Sequence, residues 1–231
     1  MPKVSIIIPI YNSQKFLKEC LDSVVMQTLQ DIELICINDK STDNSIDILN
    51  KYAKNDKRIK IINQKENKGP GVARNLGIKN ATGEYIMFLD PDDWFEETAC
   101  EDAYNLINKN QNSFAVFGFY RFYEEEKKRV EDTRRLKPFK SEQNSDKIKL
   151  YELNKNFLTT GETWCQIYNR KFLIKNDIEY ANLYICEDNL FLVKAIIASE
   201  NISYIDKPLY NYRIHNNSLH LVLQDVVAEL L

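Results

Sequence analysis

Residues 85–93 read YIMFLDPDD, an apolar run of five residues followed by three carboxylates and a proline. An uninterrupted apolar run of this length is typical of a strand that is covered on both faces. Pro91 has no N–H to give to a sheet, so it favours the end of the strand and turns Asp90, Asp92 and Asp93 outward. The stretch predicts a buried strand with an acidic site at its end.

Upstream of this stretch, short apolar runs alternate with segments whose apolar residues follow helical spacing. The predicted strands are 4–9, 33–38, 59–62 and 85–89, and the predicted helices are 13–27, 43–52 with Asp43 as its N-cap, and 72–81. This alternation indicates the α/β class, with a mostly parallel central sheet flanked by helices.

Polar clusters follow each of the predicted strands. They are Tyr11 with Asn12, Asp39, the 67–71 loop, and the run that begins at Asp90. Ligands of parallel sheets sit outside the carboxyl ends of the strands. The four clusters are therefore expected to converge on one crevice.

Composition excludes several classes of protein. The chain has 231 residues, 44% of them apolar, and a net charge of −3, which fits one α/β domain and gives no reason to expect a nucleic-acid partner. Five scattered cysteines and two histidines argue against a disulfide framework or a zinc site and favour the cytoplasm. No apolar stretch approaches the ~20 residues of a transmembrane helix, and the N-terminus reads as a first strand rather than a signal peptide.

The second half is less regular. A helix is predicted at 103–110, a strand at 114–123, a helix at 187–198, and strand-like pieces around Tyr204 and Tyr210. The charged segment 124–145 is interpreted as a solvated loop or hairpin, with a mobile acceptor-site lid as the alternative. Residues 219–231 are expected to form a final helix packed on the domain, or the start of a membrane-facing or oligomerising tail.

The acidic run also predicts a metal site. Carboxylates this close repel one another, and a divalent cation removes that cost. Mg²⁺ and Mn²⁺ prefer oxygen ligands and take one or two carboxylates plus phosphate oxygens. The alternative is a strand-ending turn in which Asp92 or Asp93 caps the next helix.

Several motifs, in order, resemble one family. They are SIIIPIYN (5–12), QTL (27–29), NDKSTD (38–43), NKGPGVARNLG (67–77) and ATGEYIMFLDPDD (81–93), followed by WCQIYNRKFL (164–173), CEDNLF (186–191) and YRIHNNS (212–218). Over residues 3–218 the chain resembles the family 2 inverting glycosyltransferases, which have the nucleotide-binding, Rossmann-like GT-A fold, and the later motifs resemble the acceptor half of bacterial capsule and lipooligosaccharide enzymes. The sequence departs from the family at Lys40, where glycine is usual, and at Gln166, where lysine is frequent.

The resemblance implies an activity. A sugar would pass with inversion from a nucleoside diphosphate, expected to be UDP, to a saccharide or lipid-linked acceptor in bacterial surface polysaccharide synthesis, at the inner face of the cytoplasmic membrane. Residues 1–98 would bind the donor, and residues 99–218, in the same domain, would bind the acceptor. Donor sugar, acceptor and oligomeric state stay open.

The resemblance also implies site residues. Donor contacts are expected from Pro9, Tyr11, Asn12, Asp39, Asn67, Gly71, Arg74 and Asp90. Tyr11 offers a face for the base, and its alternative role is to pack on the next helix. The alternative role of Asp39 is that of a turn residue in Asn-Asp-Lys-Ser. The alternative for Arg74 is a surface arginine that pairs with a nearby acid. A divalent cation, Mn²⁺ or Mg²⁺, is expected at Asp92, with Asp90 and His215 as further ligand candidates. The alternatives for His215 are a phosphate contact and a surface loop histidine, of which the surface loop histidine is favoured.

The catalytic base is expected at Asp188, with Glu187 as the runner-up, because the family places its base in this Glu-Asp motif. The alternative is a helix cap, since negative charge is favoured in the first helical turn. Trp164 is either an acceptor platform or a core residue. Arg213 is either a diphosphate contact or a structural ion pair. Gly77 and Gly83 are interpreted as structural.

Two rival functions remain at this point. A non-catalytic sugar-nucleotide-binding subunit would lack the base or the metal acids, and both are present. A nucleotidyltransferase that makes sugar nucleotides would have a basic, glycine-rich loop after the first strand, where this chain has Tyr-Asn-Ser.

Overall fold

The computed structural model describes residues 1–132, 162–183, 186–200 and 202–216. Its strands are β1 Val4–Ile10, β2 Ile32–Asn38, β3 Ile59–Asn63, β4 Tyr85–Phe88, β5 Trp94–Phe95, β6 Phe114–Tyr123, β7 Lys128–Asp132, β8 Gln166–Asn169 and β9 Ile202–Ile214. Its helices are α1 Leu17–Val25, α2 Ser45–Asn55, α3 Pro70–Asn80, α4 Ala99–Asn110, α5 Arg170–Lys175 and α6 Glu187–Ala198, with a 3₁₀ turn at Thr163–Cys165.

The first four strands form the predicted parallel sheet. β1 lies between β2 and β4, and β3 lies outside β2, all in parallel register. Every residue of β1, β2 and β4 is buried, as expected for strands covered on both faces. This confirms the α/β class and the alternation predicted over the first ninety residues.

The second half continues the same sheet in mixed orientation. In the described residues the order is β3-β2-β1-β4-β8-β6-β9-β5, with β7 paired to β6. β8 is antiparallel to both β4 and β6, whereas β9 is parallel to β6. The pieces around Tyr204 and Tyr210 are one strand, β9, rather than two.

Some local predictions need correction. α2 begins at Ser45 with Asn44 at its cap, and Asp43 instead accepts backbone N–H groups from Ser45 (2.9 Å) and Gln14 (3.0 Å). Within 124–145, β7 pairs antiparallel with β6, which confirms the hairpin for the described part. Residues 133–145 and 219–231 lie outside the described residues.

Two glycines allow close packing, as predicted. A Cβ on Gly77 would collide with Ile7 of β1, and one on Gly83 would collide with Ser5. α3 therefore packs tightly on β1, and the turn before β4 runs close to the start of β1. No helix among the described residues has the length and apolar character needed to cross a membrane.

Glu33 organises the amino-terminal end of the sheet, away from the strand ends that carry the polar clusters. Its carboxylate accepts hydrogen bonds from Ser5 Oγ (2.6 Å), Thr82 N (2.6 Å) and Gly83 N (3.0 Å) and pairs with Lys60 (2.6 Å). Burial raises the pKa of Glu33, but the bonds from Lys60, Ser5 and Thr82 outweigh burial and hold that pKa at about 2.

Candidate active site

A cavity of about 620 Å³ opens at the carboxyl ends of β1 and β2, beside the start of α3. This volume lies in the range of small-molecule sites. Its lining comprises Pro9, Ile10, Tyr11, Asp39, Asn67, Lys68, Gly69, Pro70, Val72, Asn182 and Leu183. Three of the four predicted polar clusters thus meet in one cavity.

Asn182 and Leu183 line the cavity although the sequence analysis did not single them out. They belong to a connection in the second half, between Tyr180 and α6, and no motif marks them. Leu183 is 51% exposed and Tyr11 is 49% exposed, so both side chains have surface available for a ligand. The second half therefore contributes to this cavity.

Asp39 shapes the loop that forms one wall of this cavity. Its buried carboxylate accepts hydrogen bonds from Gln64 Nε2 (2.7 Å), Lys68 N (2.9 Å) and Gly69 N (2.8 Å). Asn67 Oδ1 also accepts from Gly69 N, at 3.1 Å. These contacts give Asp39 a structural role in the 64–69 loop rather than in the turn at residues 38–41, and a contact to the nucleotide stays a prediction.

Lys40 keeps the turn after β2 in the shape for which glycine is suited. Its φ is 60°, in the left-handed region, which costs ~1–2 kcal/mol for a residue with a Cβ. The neighbouring Asn12, with φ 49°, accepts from Thr42 N (2.8 Å), and its own N–H donates to Ser41 Oγ (3.1 Å). The described contacts of Asn12 hold two loops together at the rim of the site.

Arg74 connects the acidic turn to the second half. Its Nη2 donates to Asp90 Oδ1 at 2.7 Å, and its Nη1 lies 3.2 Å from Asp188 Oδ1 and 3.6 Å from Glu187 Oε1. Its side chain is only 4% exposed, and the guanidinium lies over the Tyr180 ring. Arg74 therefore pairs with nearby acids, as the alternative role supposed, but it does so in the interior and not at the surface.

Asp188 lies in the first turn of α6, as predicted. Its Oδ1 accepts a hydrogen bond from Thr163 Oγ1 at 2.8 Å in addition to the contact from Arg74. Thr163 in turn accepts from Tyr180 OH at 2.8 Å. The residue before α6 is Cys186, whose side chain makes no cap hydrogen bond.

The cluster contains more acid than base. Among the described residues, Asp90, Glu187 and Asp188 share one guanidinium, that of Arg74. Burial raises the pKa of Asp90, which Arg74 only partly offsets, and burial followed by the Asp188 charge raises the pKa of Glu187. Excess negative charge of this kind attracts a cation.

His215 meets the acidic turn at Asp92. Its Nε2 lies 3.1 Å from Asp92 Oδ2, so the end of β9, which His215 directly follows, brings the candidate histidine to the predicted metal ligand. No set of three His, Cys, Asp or Glu side chains within the described residues is arranged to hold a metal alone. A cation that also binds phosphate oxygens requires only one or two carboxylates, so Asp92 and its neighbours fit such an ion.

Asp93 is not a helix cap, contrary to one expectation. It is buried, and it accepts from Tyr210 OH (2.6 Å) and Arg213 N (2.7 Å), whereas α4 begins at Ala99 after Thr98. Burial, with the charge of the adjacent acids, raises the pKa of Asp93 well above its ordinary value. Asp93 thus anchors the acidic turn to β9.

Arg213 is buried and forms structural ion pairs, which is one of the two roles considered for it. Its Nε donates to the carbonyl oxygen of Asp92 at 2.7 Å, and its other nitrogens pair with Glu19 and Glu124. The guanidinium also lies over the Trp94 ring. Arg213 therefore fixes the backbone of the turn that carries the acids.

Trp164 is a core residue rather than a surface platform. It is 5% exposed and stacks on Tyr210 with ring centroids 4.2 Å apart. It also stacks on Tyr212 and makes an edge contact with Phe119. A side chain packed in this way has little surface left for an acceptor sugar.

Gly71 packs against the second half. A Cβ there would lie 3.2 Å from Glu187 Cγ and 3.3 Å from Tyr180 Cβ. The small residue lets the start of α3 approach the start of α6. The donor contact expected of Gly71 stays a prediction.

Comparison with known proteins identifies the family. The sequence profile described as Glycosyl transferase family 2 matches residues 5–176, and the chain belongs to this family. It is 33% identical over 221 residues to the putative glycosyltransferase EpsH of Bacillus subtilis, covering 94% of this chain and 62% of that protein. It is 34% identical to the poly(ribitol-phosphate) beta-glucosyltransferase of Bacillus spizizenii, covering 98% of this chain and 34% of that protein.

Solved structures agree with this assignment. The S. aureus TarS 1–349 crystal structure in complex with UDP-GlcNAc has a TM-score of 0.79 at 27% identity, covering 94% of this chain and 60% of that one. The fold is the GT-A fold, as the resemblance implied. The chain spans less than two thirds of the length of these relatives.

Proposed function

We propose that the protein transfers a sugar from a UDP-sugar to a hydroxyl of a saccharide or lipid-linked acceptor, with inversion at the anomeric carbon. The observation that carries this proposal is the placement of Arg74, which contacts both Asp90 at the donor end and Asp188 at the proposed base end. A single side chain thus joins the two groups that the reaction needs side by side. The TarS complex with UDP-GlcNAc supports the choice of donor.

The donor would lie in the cavity at the ends of β1 and β2. The exposed ring of Tyr11 offers a face on which a nucleobase can stack, worth ~1–3 kcal/mol. Asn67 and Asp39 lie in the same lining. The ribose and diphosphate would extend from there toward Asp90.

Asp92, Asp90 and His215 would hold a divalent cation, Mn²⁺ or Mg²⁺. The contact between Asp92 and His215 and the excess acid around Arg74 support this assignment. When bound, such a cation supplies positive charge to the diphosphate leaving group.

Asp188 would take the proton from the acceptor hydroxyl. General base catalysis requires a carboxylate in fixed position within hydrogen-bond reach of that proton. Thr163 and Arg74 both bond to Oδ1 of Asp188, which holds the side chain in place. Donor binding falls mainly to residues 1–98, and the second half adds Asn182 and Leu183 to the cavity lining and supplies the base.

The relatives suggest the biological process in which the protein acts. One is a poly(ribitol-phosphate) beta-glucosyltransferase. We propose that this protein likewise acts in the synthesis of a bacterial surface polysaccharide, at the inner face of the cytoplasmic membrane.

A donor panel tests the proposal. Thermal unfolding is measured with Mn²⁺ and each of several UDP-sugars, UDP, GDP-mannose and an NTP with a sugar phosphate. We expect UDP to stabilise the protein, one UDP-sugar to stabilise it more than UDP, and that sugar to be slowly hydrolysed. No stabilisation by any uridine nucleotide, or activity that strictly requires an NTP, would refute the proposal.

A further inference from the structure

Arg74 carries a role that differs from the nucleotide contact implied by the family resemblance. We propose that Arg74 is a positioning residue, which fixes the carboxylate of Asp188 relative to Asp90 across the boundary between the two halves of the domain. This inference rests on the proposed function, because it assumes that Asp188 is the base.

The contacts of the guanidinium are the first argument. Its Nη2 donates to Asp90 Oδ1 at 2.7 Å, and its Nη1 donates to Asp188 Oδ1 at 3.2 Å. The two acids are reached by different nitrogens of one rigid, planar group. The distance between the two carboxylates is therefore set by the shape of that group.

Burial is the second argument. The Arg74 side chain is almost fully enclosed, and it lies on α3 over the ring of Tyr180. The cavity is lined from the same helix by Pro70 and Val72, whereas Arg74 contacts the three acids. Its charge is therefore directed at protein carboxylates.

The third argument concerns which oxygen of Asp188 is held. Among the described residues, the bonds from Arg74 and from Thr163 both go to Oδ1, at 3.2 and 2.8 Å. Thr163 is itself fixed by the OH of Tyr180. This arrangement leaves Oδ2 as the oxygen that accepts the acceptor proton.

The variant Arg74→Gln removes the positive charge and the rigid, forked set of guanidinium donors while keeping a polar side chain. A misplaced base lowers turnover, and displacements of about 1 Å cost on the order of 10²-fold. We therefore expect kcat for hydrolysis of the best UDP-sugar to fall about 10²-fold, while the Kd for UDP measured calorimetrically without Mn²⁺ stays near the wild-type value. Arg74→Lys, which keeps the charge without the fork, is expected to show the same pattern with a smaller loss.

Arg58→Gln is the matched control. Arg58 also forms a partly buried ion pair, with Asp56, and donates to a backbone carbonyl, but it lies at the turn before β3. We expect it to lower the midpoint of thermal unfolding without changing kcat. Arg74→Ala with added guanidinium is a second test, because the free cation can occupy the vacated space and restore part of kcat.

A double mutant separates positioning from general structural support. If Arg74 acts through Asp188, adding Arg74→Gln to Asp188→Asn leaves the small residual kcat unchanged, since residues that act as a unit are not additive. A further fall in kcat, or an increase in the Kd for UDP with kcat preserved in the single variant, would overturn the inference. A wild-type protein that binds no uridine nucleotide would instead refute the proposed function, so the two failures are distinguishable.

Discussion

His215 Nε2 and Asp92 Oδ2 lie 3.1 Å apart although 123 residues separate them in the chain. The contact closes the acidic turn with the end of β9, the last strand that the structure describes. It brings His215, a candidate for a further metal ligand, to Asp92, the acid expected to be the main metal ligand.

Metal-dependent binding is expected to depend on this pair. Asp92→Asn should abolish the Mn²⁺-dependent part of UDP binding, since an amide is a poor ligand for a hard cation. His215→Ala should raise the Mn²⁺ concentration needed for half-maximal stabilisation by UDP. Calorimetry with and without Mn²⁺ measures both, and equal UDP affinity with and without Mn²⁺ in the wild type would count against the metal site.

Asp188→Asn is expected to separate binding from chemistry. The amide retains the shape of the side chain but cannot take a proton, so UDP affinity should persist while turnover falls on the order of 10²–10⁴-fold. Glu187→Gln serves as comparison and should retain more activity. Normal turnover in Asp188→Asn would show that the base lies elsewhere.

Leu183 is expected to contribute to the donor cavity. Leu183→Ala should weaken UDP binding by removing an exposed apolar side chain from the lining, with little change in the free energy of unfolding. Ile174→Ala is the matched control, because Ile174 is similarly exposed at 55% but lies on α5 outside the cavity lining. If both variants bind UDP like the wild type, the wall formed by the second half has no part in binding.

Trp164→Ala is expected to act on stability. Truncating a buried tryptophan costs about 3–5 kcal/mol, so the free energy of unfolding in urea should fall by that order. Trp164→Phe should recover a large part of it. An acceptor platform would behave differently, with a raised KM for the acceptor and unchanged unfolding.

Glu33 gives a pH-dependent prediction. Its pKa is lowered from 4.5 to about 2 in the folded protein, so it contributes stability above pH 4.5 that is lost as the pH falls toward 2. The contribution is roughly 3 kcal/mol from a shift of this size. The gap in unfolding free energy between wild type and Glu33→Gln should be constant near neutral pH and shrink in acid. A pH-independent difference for Glu33→Gln would contradict the assignment.

The parallel half of the fold could be read from the sequence. The runs at β1, β2 and β4 are apolar apart from Ser5, Glu33 and Asn38, because both faces of these strands are covered. Their composition and their length therefore both predict strands. β5 has only two residues, and β8 has polar residues, Gln166 and Asn169, at both ends, so neither gives such a signal. β9 is long, but Lys207 and Pro208 interrupt its pattern, and only pairing with β6 makes it one strand.

Only part of the site could be predicted from the sequence, because some of its contacts join residues that are distant in the chain. Motif position placed Tyr11, Asp39 and Asn67 in one lining, as expected from strand ends that share an edge. The inward position of Trp164 depends on Tyr210 and Tyr212, which are distant in sequence, and the burial of Asp93 depends on Tyr210 and on the backbone of Arg213. Such partners follow from tertiary packing and leave no local pattern.

The pairing of β8 with β4 has a consequence for how such a protein can diversify. Met87 pairs with Ile167 and Tyr85 with Asn169, so the boundary between the two halves runs through continuous backbone hydrogen bonds. Exchanging one half for that of a relative would disrupt the hydrogen-bond ladder between β4 and β8, because the two halves are not joined by a linker alone. New acceptor or donor preferences are therefore more accessible by changing loops at the rim, such as the one carrying Asn182 and Leu183, than by recombining halves.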